Sequence, residues 1–116
     1  MNLLFVNTNQ TRMPDPVPPI GLSYLASAMR RAQHDCDIFD LTFQLKFEEK
    51  LKARILERRP EVIGLSLRNV DNTAYPKTVS YFEHFQKIVR ICQEVAPETP
   101  IVVGGPAFSL FPEEFM

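Results

Sequence analysis

A chain of 116 residues with 45% hydrophobic content is large enough for one hydrophobic core and too small for two. Its 13 basic and 14 acidic residues give a net charge of −1, and no run of Lys or Arg stands out, so we expect neither nucleic acid nor an anionic membrane as a partner. The apolar start, Met1 to Val6, is too short to cross a bilayer and lacks the charged start and cleavage site of a signal peptide, which predicts a cytoplasmic protein.

Strand and helix patterns alternate through the amino half of the chain. Leu3 to Val6 is an apolar run closed by polar residues, which predicts a strand buried on both faces. Apolar residues at helical spacing after Gly21 predict the first helix. The mixed pattern from Cys36 to Asp40 indicates an edge strand, and apolar residues four apart from Phe47 onward predict a second helix that Pro60 ends.

The same alternation continues through the carboxyl half. Val62 to Leu67 predicts a third strand, an apolar pattern from Val79 to Ala96 predicts a third helix, and Ile101 to Val103 predicts a fourth strand. Residues 111–116 are typical of the first turn of another helix. Strands that alternate with helices predict an α/β fold with a parallel, doubly wound sheet of the flavodoxin-like or Rossmann-like kind.

The predicted sheet is incomplete at its fourth strand. A doubly wound domain of this order normally adds a fifth strand beside the fourth, so Ile101 to Val103 would form an unprotected apolar edge. We therefore expect the chain to be a fragment of a longer protein, truncated after the fourth strand and able to associate with a second copy through that edge.

No metal site or catalytic constellation is predicted. Cys36 and Cys92 have no spacing that suits zinc or an iron–sulfur cluster, so buried, reduced thiols are expected. His34 should lie at the opposite end of the sheet from the carboxyl ends of the strands. His84 is expected in the middle of the third helix, as an exposed or hydrogen-bonded imidazole and not as a metal ligand.

Polar and small residues follow the predicted strands at their carboxyl ends, an edge that we call the rim. Ligands of open parallel sheets bind beyond this edge, where the strand order reverses. For a 2-1-3-4 order, that point lies between the first and third strands. The residues predicted at the rim are Asn7, Thr8, Asn9, Asp40, Ser66, Arg68, Asn69, Gly104 and Gly105.

Simpler explanations remain open for the same residues. On the dipeptide alone, a tight turn is the preferred explanation of Gly104-Gly105. Arg68 could form a loop-ordering ion pair with Asp71, and Asn69 could bond its own backbone. The chain has no GxGxxG, GKS or GKT sequence, which argues against a dinucleotide site or an NTPase.

Two motifs carry a more specific indication. Residues 18–26 read Pro-Pro-x-Gly-Leu-x-Tyr-Leu-Ala, and Gly-Gly-Pro at 104–106 is followed by Pro-Glu-Glu at 112–114. Together they resemble the amino-terminal cobalamin-binding domain of cobalamin-dependent radical S-adenosylmethionine enzymes, over nearly the whole chain. The resemblance implies one cobalamin-binding domain over 1–116, with a radical S-adenosylmethionine barrel expected downstream and absent here.

The resemblance also implies where the cofactor lies. Cobalamin would cross the rim with its nucleotide tail near Ser66 and the Gly-Gly-Pro turn, which adds Pro106 to the cofactor-binding residues. Related methyl-transferring domains carry an Asp-x-His-x-x-Gly motif after the first strand, but no His occurs here between Asn7 and Gly21. The cobalt is therefore expected to lack a histidine from this loop. The residues near that face would be Asn9, Gln10, Thr11, Arg12 or Met13.

The family's catalytic parts are expected outside this chain. A CxxxCxxC motif, which holds a [4Fe–4S] cluster and S-adenosylmethionine in these enzymes, is absent from the sequence. The resemblance thus implies that this chain binds cobalamin but does not catalyse a reaction by itself. It also implies a parent enzyme that transfers methyl groups or performs a related radical reaction. Substrate contacts would come largely from the rest of that parent.

The alternative is a flavodoxin-like or receiver-like regulatory or protein-interaction domain that binds no corrin. A receiver needs an acidic pair after its first strand, where this chain has Asn7-Thr8-Asn9, although Asp71 follows the third strand. A flavin site needs a phosphate loop rich in Ser and Thr, and residues 7–12 offer only Thr8 and Thr11. A purely structural domain would leave the polar rim unexplained.

Overall fold

Strands and helices alternate along the part of the chain that the computed structural model describes, residues 1–8, 20–41, 44, 46–66 and 82–104. The elements are β1 (Asn2–Asn7), α1 (Ile20–Arg31), β2 (Asp35–Asp40), α2 (Phe47–Arg58), β3 (Val62–Ser66), α3 (Phe82–Val95) and β4 (Ile101–Gly104). This order confirms the predicted α/β class. Leu67, Val79 and the helical turn predicted at 111–116 lie outside the described residues.

The strands form one parallel sheet in the order β2-β1-β3-β4. The strand order therefore reverses between β1 and β3, which confirms the doubly wound, flavodoxin-like arrangement. β2 lies at one edge of the sheet, as its mixed pattern predicted, and β4 lies at the other edge of the described sheet.

The two faces of the sheet pack against different helices because successive side chains of a strand point to opposite faces. Leu4 and Val6 of β1 pack with α2 and α3, whereas Leu3 and Phe5 pack with α1. The buried residues of the first cluster are Leu4, Val6, Phe39, Leu41, Leu51, Ile55, Ile63, Leu65, Phe85, Ile88, Ile91 and Cys92. Those of the second are Leu3, Phe5, Leu22, Ala26 and Cys36.

The amino ends of the strands are held by a network of polar contacts. The Asn2 side-chain amide donates to the Arg58 carbonyl oxygen, and Arg58 also pairs with Asp35 at 3.2 Å. His34 lies at this end, with its Nδ1 2.9 Å from the amino-terminal nitrogen of Met1. The prediction that His34 lies opposite the rim is therefore confirmed.

The two cysteines and the helices bear on the predictions about thiols and membrane spans. Cys36 and Cys92 are buried and free, as expected. Burial raises the pKa of the Cys92 thiol to about 11. None of the helices in the described ranges has the length and apolar character that a membrane span requires.

Gly64 makes room for an aromatic ring from the neighbouring strand. It pairs with Phe5, and a Cβ atom at Gly64 would lie 2.6 Å from Phe5 Cδ1. Because the ring would have to move within a packed layer, Gly64→Ala should lower the free energy of unfolding by about 1–3 kcal/mol. Urea unfolding followed by circular dichroism measures this change.

Gly104→Ala is the matched control for that experiment. A Cβ atom at Gly104 would meet no described atom within 4 Å, so this variant should unfold within about 0.5 kcal/mol of the wild type, or be slightly more stable. An equal loss of stability in both variants would contradict the steric explanation.

Candidate functional site

The sheet register aligns four residues across the rim. Asp40 pairs with Asn7, Asn7 with Ser66, and Ser66 with Gly104. Each is the last residue of its strand, so the carboxyl ends of β2, β1, β3 and β4 finish level with one another. The convergence expected from a 2-1-3-4 order is therefore present.

The described residues contain part of the predicted cofactor-binding set. Asn7, Thr8, Ser66 and Gly104 lie together at the rim, and Thr8 directly follows the end of β1. The other predicted residues lie outside the described ranges, and they are Asn9, Gln10, Arg68, Asn69, Gly105 and Pro106.

Asn7 joins the rim ends of β1 and β2. Its side-chain amide donates to a carboxylate oxygen of Asp40 over 2.9 Å, and Asn7 itself is buried. A hydrogen bond to an ionised carboxylate is stronger than one between neutral groups. This contact fixes the amide of Asn7 in one orientation at the edge of the sheet.

Thr8 joins the rim ends of β1 and β3. Its backbone N–H and its Oγ1 hydroxyl both donate to the Ser66 carbonyl oxygen, over 3.2 and 2.7 Å. A carbonyl oxygen has two lone pairs and can accept both bonds. Thr8 is buried, and the chain therefore leaves the sheet from a fixed point.

His84 reaches the same point from α3. Its Nε2 lies 3.1 Å from the Thr8 carbonyl oxygen. Because a carbonyl only accepts, Nε2 must carry the hydrogen. The prediction of a hydrogen-bonded imidazole is confirmed, but His84 lies in the first turn of α3 as described, and this brings it to the rim and not to the middle of the helix.

The surroundings of His84 favour its neutral form. Burial lowers the pKa of the imidazole, and the Lys87 ammonium lowers it further, against the opposing effects of the Thr8 carbonyl and the Glu48 carboxylate. Phe47 of α2 contacts the imidazole edge to face, with ring centroids 5.1 Å apart. Residue patterns alone do not indicate that His84 contacts Thr8 at the rim.

Gly104 leaves open space at the end of β4. A Cβ atom there would have no described atom within 4 Å, and the backbone of Gly104 does not adopt a left-handed φ. A side chain would therefore be sterically and conformationally tolerated in the described structure. Within the described residues, neither a left-handed conformation nor a close contact requires glycine at position 104.

The described residues offer no metal centre built from the protein alone. No group of three or more His, Cys, Asp or Glu side chains within the described ranges is arranged to hold a metal ion. Among the same residues, the Ser66 hydroxyl makes no hydrogen bond of its own. The rim therefore offers hydrogen-bonding groups and open space, which suits an organic ligand.

Comparison with known proteins identifies the family of this chain. The family model for the B12 binding domain matches residues 10–116. An uncharacterized methyltransferase of Pyrococcus horikoshii is 31% identical over 97 residues, which is 83% of this chain and 18% of that protein.

Two solved structures of the radical S-adenosylmethionine methyltransferase TsrM from Kitasatospora setae are also similar, one with tryptophan and an S-adenosylmethionine analogue and one with cobalamin and a [4Fe–4S] cluster. Each has a TM-score of 0.85 and 27% identity over 95% of this chain. The chain spans 20% and 19% of these two solved chains, about a fifth of their length.

Proposed function

The chain belongs to the B12-binding domain family, and from that premise we propose that it holds cobalamin at the rim as the cofactor module of a radical S-adenosylmethionine methyltransferase. The observation that carries the proposal is the level alignment of Asp40, Asn7, Ser66 and Gly104 at the carboxyl edge. Ligands of open α/β sheets bind beyond this edge, next to the point where the strand order reverses.

The rim residues fit a large, flat cofactor. The space beside Gly104 would let such a group approach the end of β4 without meeting any of the described side chains. Beside it, the Ser66 hydroxyl could donate a hydrogen bond to the cofactor. Asn7 and Thr8 are buried and would keep the ends of β1 and β3 fixed beneath it. When bound, cobalamin supplies a cobalt centre that can take up and pass on a methyl group.

Six further residues complete the proposed site on the strength of the sequence. They are Asn9, Gln10, Arg68, Asn69, Gly105 and Pro106. Each lies one to three positions after the end of β1, β3 or β4, so all are close in sequence to residues that lie at the rim. Their contacts with cobalamin stay predictions.

The proposal extends to the parent protein. A radical S-adenosylmethionine domain with its [4Fe–4S] cluster and S-adenosylmethionine would follow residues 1–116 and provide the catalytic residues. The similarity to TsrM supports this arrangement, because this chain corresponds to about a fifth of a methyltransferase whose solved structure contains cobalamin and a [4Fe–4S] cluster. Location in the cytoplasm and association of two copies through β4 stay predictions.

Titration with hydroxocobalamin tests the proposed function and its position. Asn2 and Asn7 begin and end the same strand, and both donate a side-chain hydrogen bond within the protein. We expect saturable binding by absorbance, about tenfold weaker for Asn7→Ala and unchanged for Asn2→Ala, since only Asn7 lies at the rim. Melting curves confirm that both variants fold.

Two results would contradict the proposal. Absence of a saturable absorbance change in the wild-type chain would remove the cobalamin function, and equal weakening by both Asn variants would remove the rim as its position. The same spectra report the cobalt ligands. Because no His lies between Asn7 and Gly21, we expect no histidine ligation from this loop.

A further inference from the structure

His84 connects the rim to the helices that cover one face of the sheet. Its imidazole donates from Nε2 to the Thr8 carbonyl oxygen over 3.1 Å, across 76 positions of sequence. Its ring packs edge to face against Phe47, at an interplanar angle of 67°. A single side chain of α3 is thus in contact with both the end of β1 and the start of α2.

Thr8 is held by neighbours on two sides. Its N–H and hydroxyl bond Ser66 of β3, and its carbonyl oxygen accepts from His84 of α3. Only 2% of Thr8 is exposed. The orientation of its peptide group sets the direction in which the chain continues beyond the end of β1.

We propose that His84 is a positioning residue for cobalamin, which holds the Thr8 carbonyl so that the rim is set before the cofactor binds. This inference rests on the proposed function, because it concerns the same site. His84 does not need to touch cobalamin, and its effect passes through the main chain of Thr8. A rim fixed in advance loses less conformational freedom on binding, which favours affinity.

The orientation of the imidazole is itself fixed by its surroundings. Phe47 limits rotation of the ring, and Phe47 is in turn beside the Lys87 ammonium, which lies 5.9 Å from the Phe47 ring centroid. Lys87 also pairs with Glu48 over 2.6 Å, which joins α3 to α2. A donor held in this way differs from an ordinary surface histidine, which samples several rotamers.

Two charged side chains from the packed helices face His84. Lys87 on α3 disfavours protonation of the imidazole, and Glu48 on α2 favours it. Among the described residues, the Thr8 carbonyl just past the end of β1 also favours protonation. With burial, the net effect is a pKa of His84 below its ordinary 6.5. As the pH falls through 6.5, His84 takes up a proton in the unfolded chain before it does so in the folded chain. The free energy of unfolding therefore decreases as the pH falls from 6.5 to the lower pKa of His84 in the folded chain.

Two variants separate the hydrogen bond from the packing. His84→Phe keeps an aromatic ring beside Phe47 but has no donor, whereas His84→Gln provides an amide donor at a similar reach. In hydroxocobalamin titrations we expect about tenfold weaker binding for His84→Phe and recovery to within about threefold of wild type for His84→Gln. A role in packing alone would give the reverse order.

Nuclear magnetic resonance of the cofactor-free chain gives an independent readout. We expect His84 to be neutral and protonated at Nε2 at pH 7, and the Thr8 carbonyl carbon shift to change in His84→Phe and return towards wild type in His84→Gln.

The results distinguish this inference from the function on which it rests. If the wild-type chain binds no hydroxocobalamin, the proposed function fails and this inference fails with it. If the wild type binds and His84→Phe binds equally tightly, the inference alone is overturned. Should His84→Phe not fold, a wild-type spectrum in which neutral His84 carries its proton at Nδ1 and not at Nε2 overturns the inference by itself, because the Thr8 carbonyl would then have no donor from this ring.

Discussion

Gly104→Phe is expected to weaken hydroxocobalamin binding about 100-fold while the chain remains folded. A Cβ atom at Gly104 would meet no described atom within 4 Å, so the described structure leaves room for a larger side chain, and a phenyl ring there would occupy the volume proposed for the cofactor. Binding is measured by absorbance titration, and unfolding by circular dichroism on the same preparation. If Gly104→Phe binds hydroxocobalamin with unchanged affinity, the end of β4 is not part of the cofactor site.

Val102→Phe is the matched control for Gly104→Phe. Val102 precedes Gly104 by two positions on β4, so its side chain points to the same face of the sheet, and it is 60% exposed. The same ring placed there adds bulk to β4 away from the rim. We expect wild-type affinity for Val102→Phe, and an equal loss in both variants would indicate a general effect of bulk on this strand.

Leu51→Ala is expected to lower the free energy of unfolding by about 2–5 kcal/mol. Leu51 of α2 is fully buried in the cluster between the sheet and the helices, so truncation removes apolar contacts and leaves a cavity. Domains of this size are stable by about 5–15 kcal/mol, and one such change would remove a large part of the total. Urea unfolding of the cofactor-free chain measures the effect.

Leu56→Ala provides the comparison on the same helix. Leu56 is 62% exposed, and its truncation should change the free energy of unfolding by no more than about 0.5 kcal/mol. Because the two substitutions are chemically identical, a difference between them reports burial and not the helix propensity of alanine. A similar change for both would contradict the assignment of Leu51 to the core.

Local patterns were sufficient to predict the elements of this fold. Continuous apolar runs mark strands buried on both faces, and apolar residues at helical spacing mark helices buried on one face. Both patterns can be recognised within a few neighbouring residues. The edge position of β2 was also readable, because Cys36 to Asp40 mixes polar and apolar residues as a strand covered incompletely does. The strand order 2-1-3-4 is that of the flavodoxin-like fold, and local patterns do not encode it.

Contacts between distant residues could not be predicted in this way. The bond from His84 to Thr8 depends on how far α3 extends towards the rim, and helix ends are the part that sequence patterns define least. The fit of Phe5 over Gly64 depends on strand register, which sets the two residues opposite each other. The residue types of His84 and Gly64 do not indicate which residue each of them contacts.

The structural role of Gly104 also could not be inferred from the sequence. A glycine after a strand is compatible with a left-handed turn or with a close approach of another group, and the two explanations differ in a dihedral angle. The backbone of Gly104 is outside the left-handed region, and no described atom lies within 4 Å of its Cβ position. Conformation, and not residue identity, decides between the explanations.

Both cysteines are buried, and this limits how their thiols could react with a corrin bound to this chain. Thiolates are strong ligands and nucleophiles, and an accessible one could capture the cobalt or accept its methyl group. Cys36 pairs with Leu3 near the amino end of β1, remote from the rim, and Cys92 holds its proton because burial raises the pKa of its thiol to about 11. Neither of the two thiols is therefore placed to compete for a corrin held at the described part of the rim.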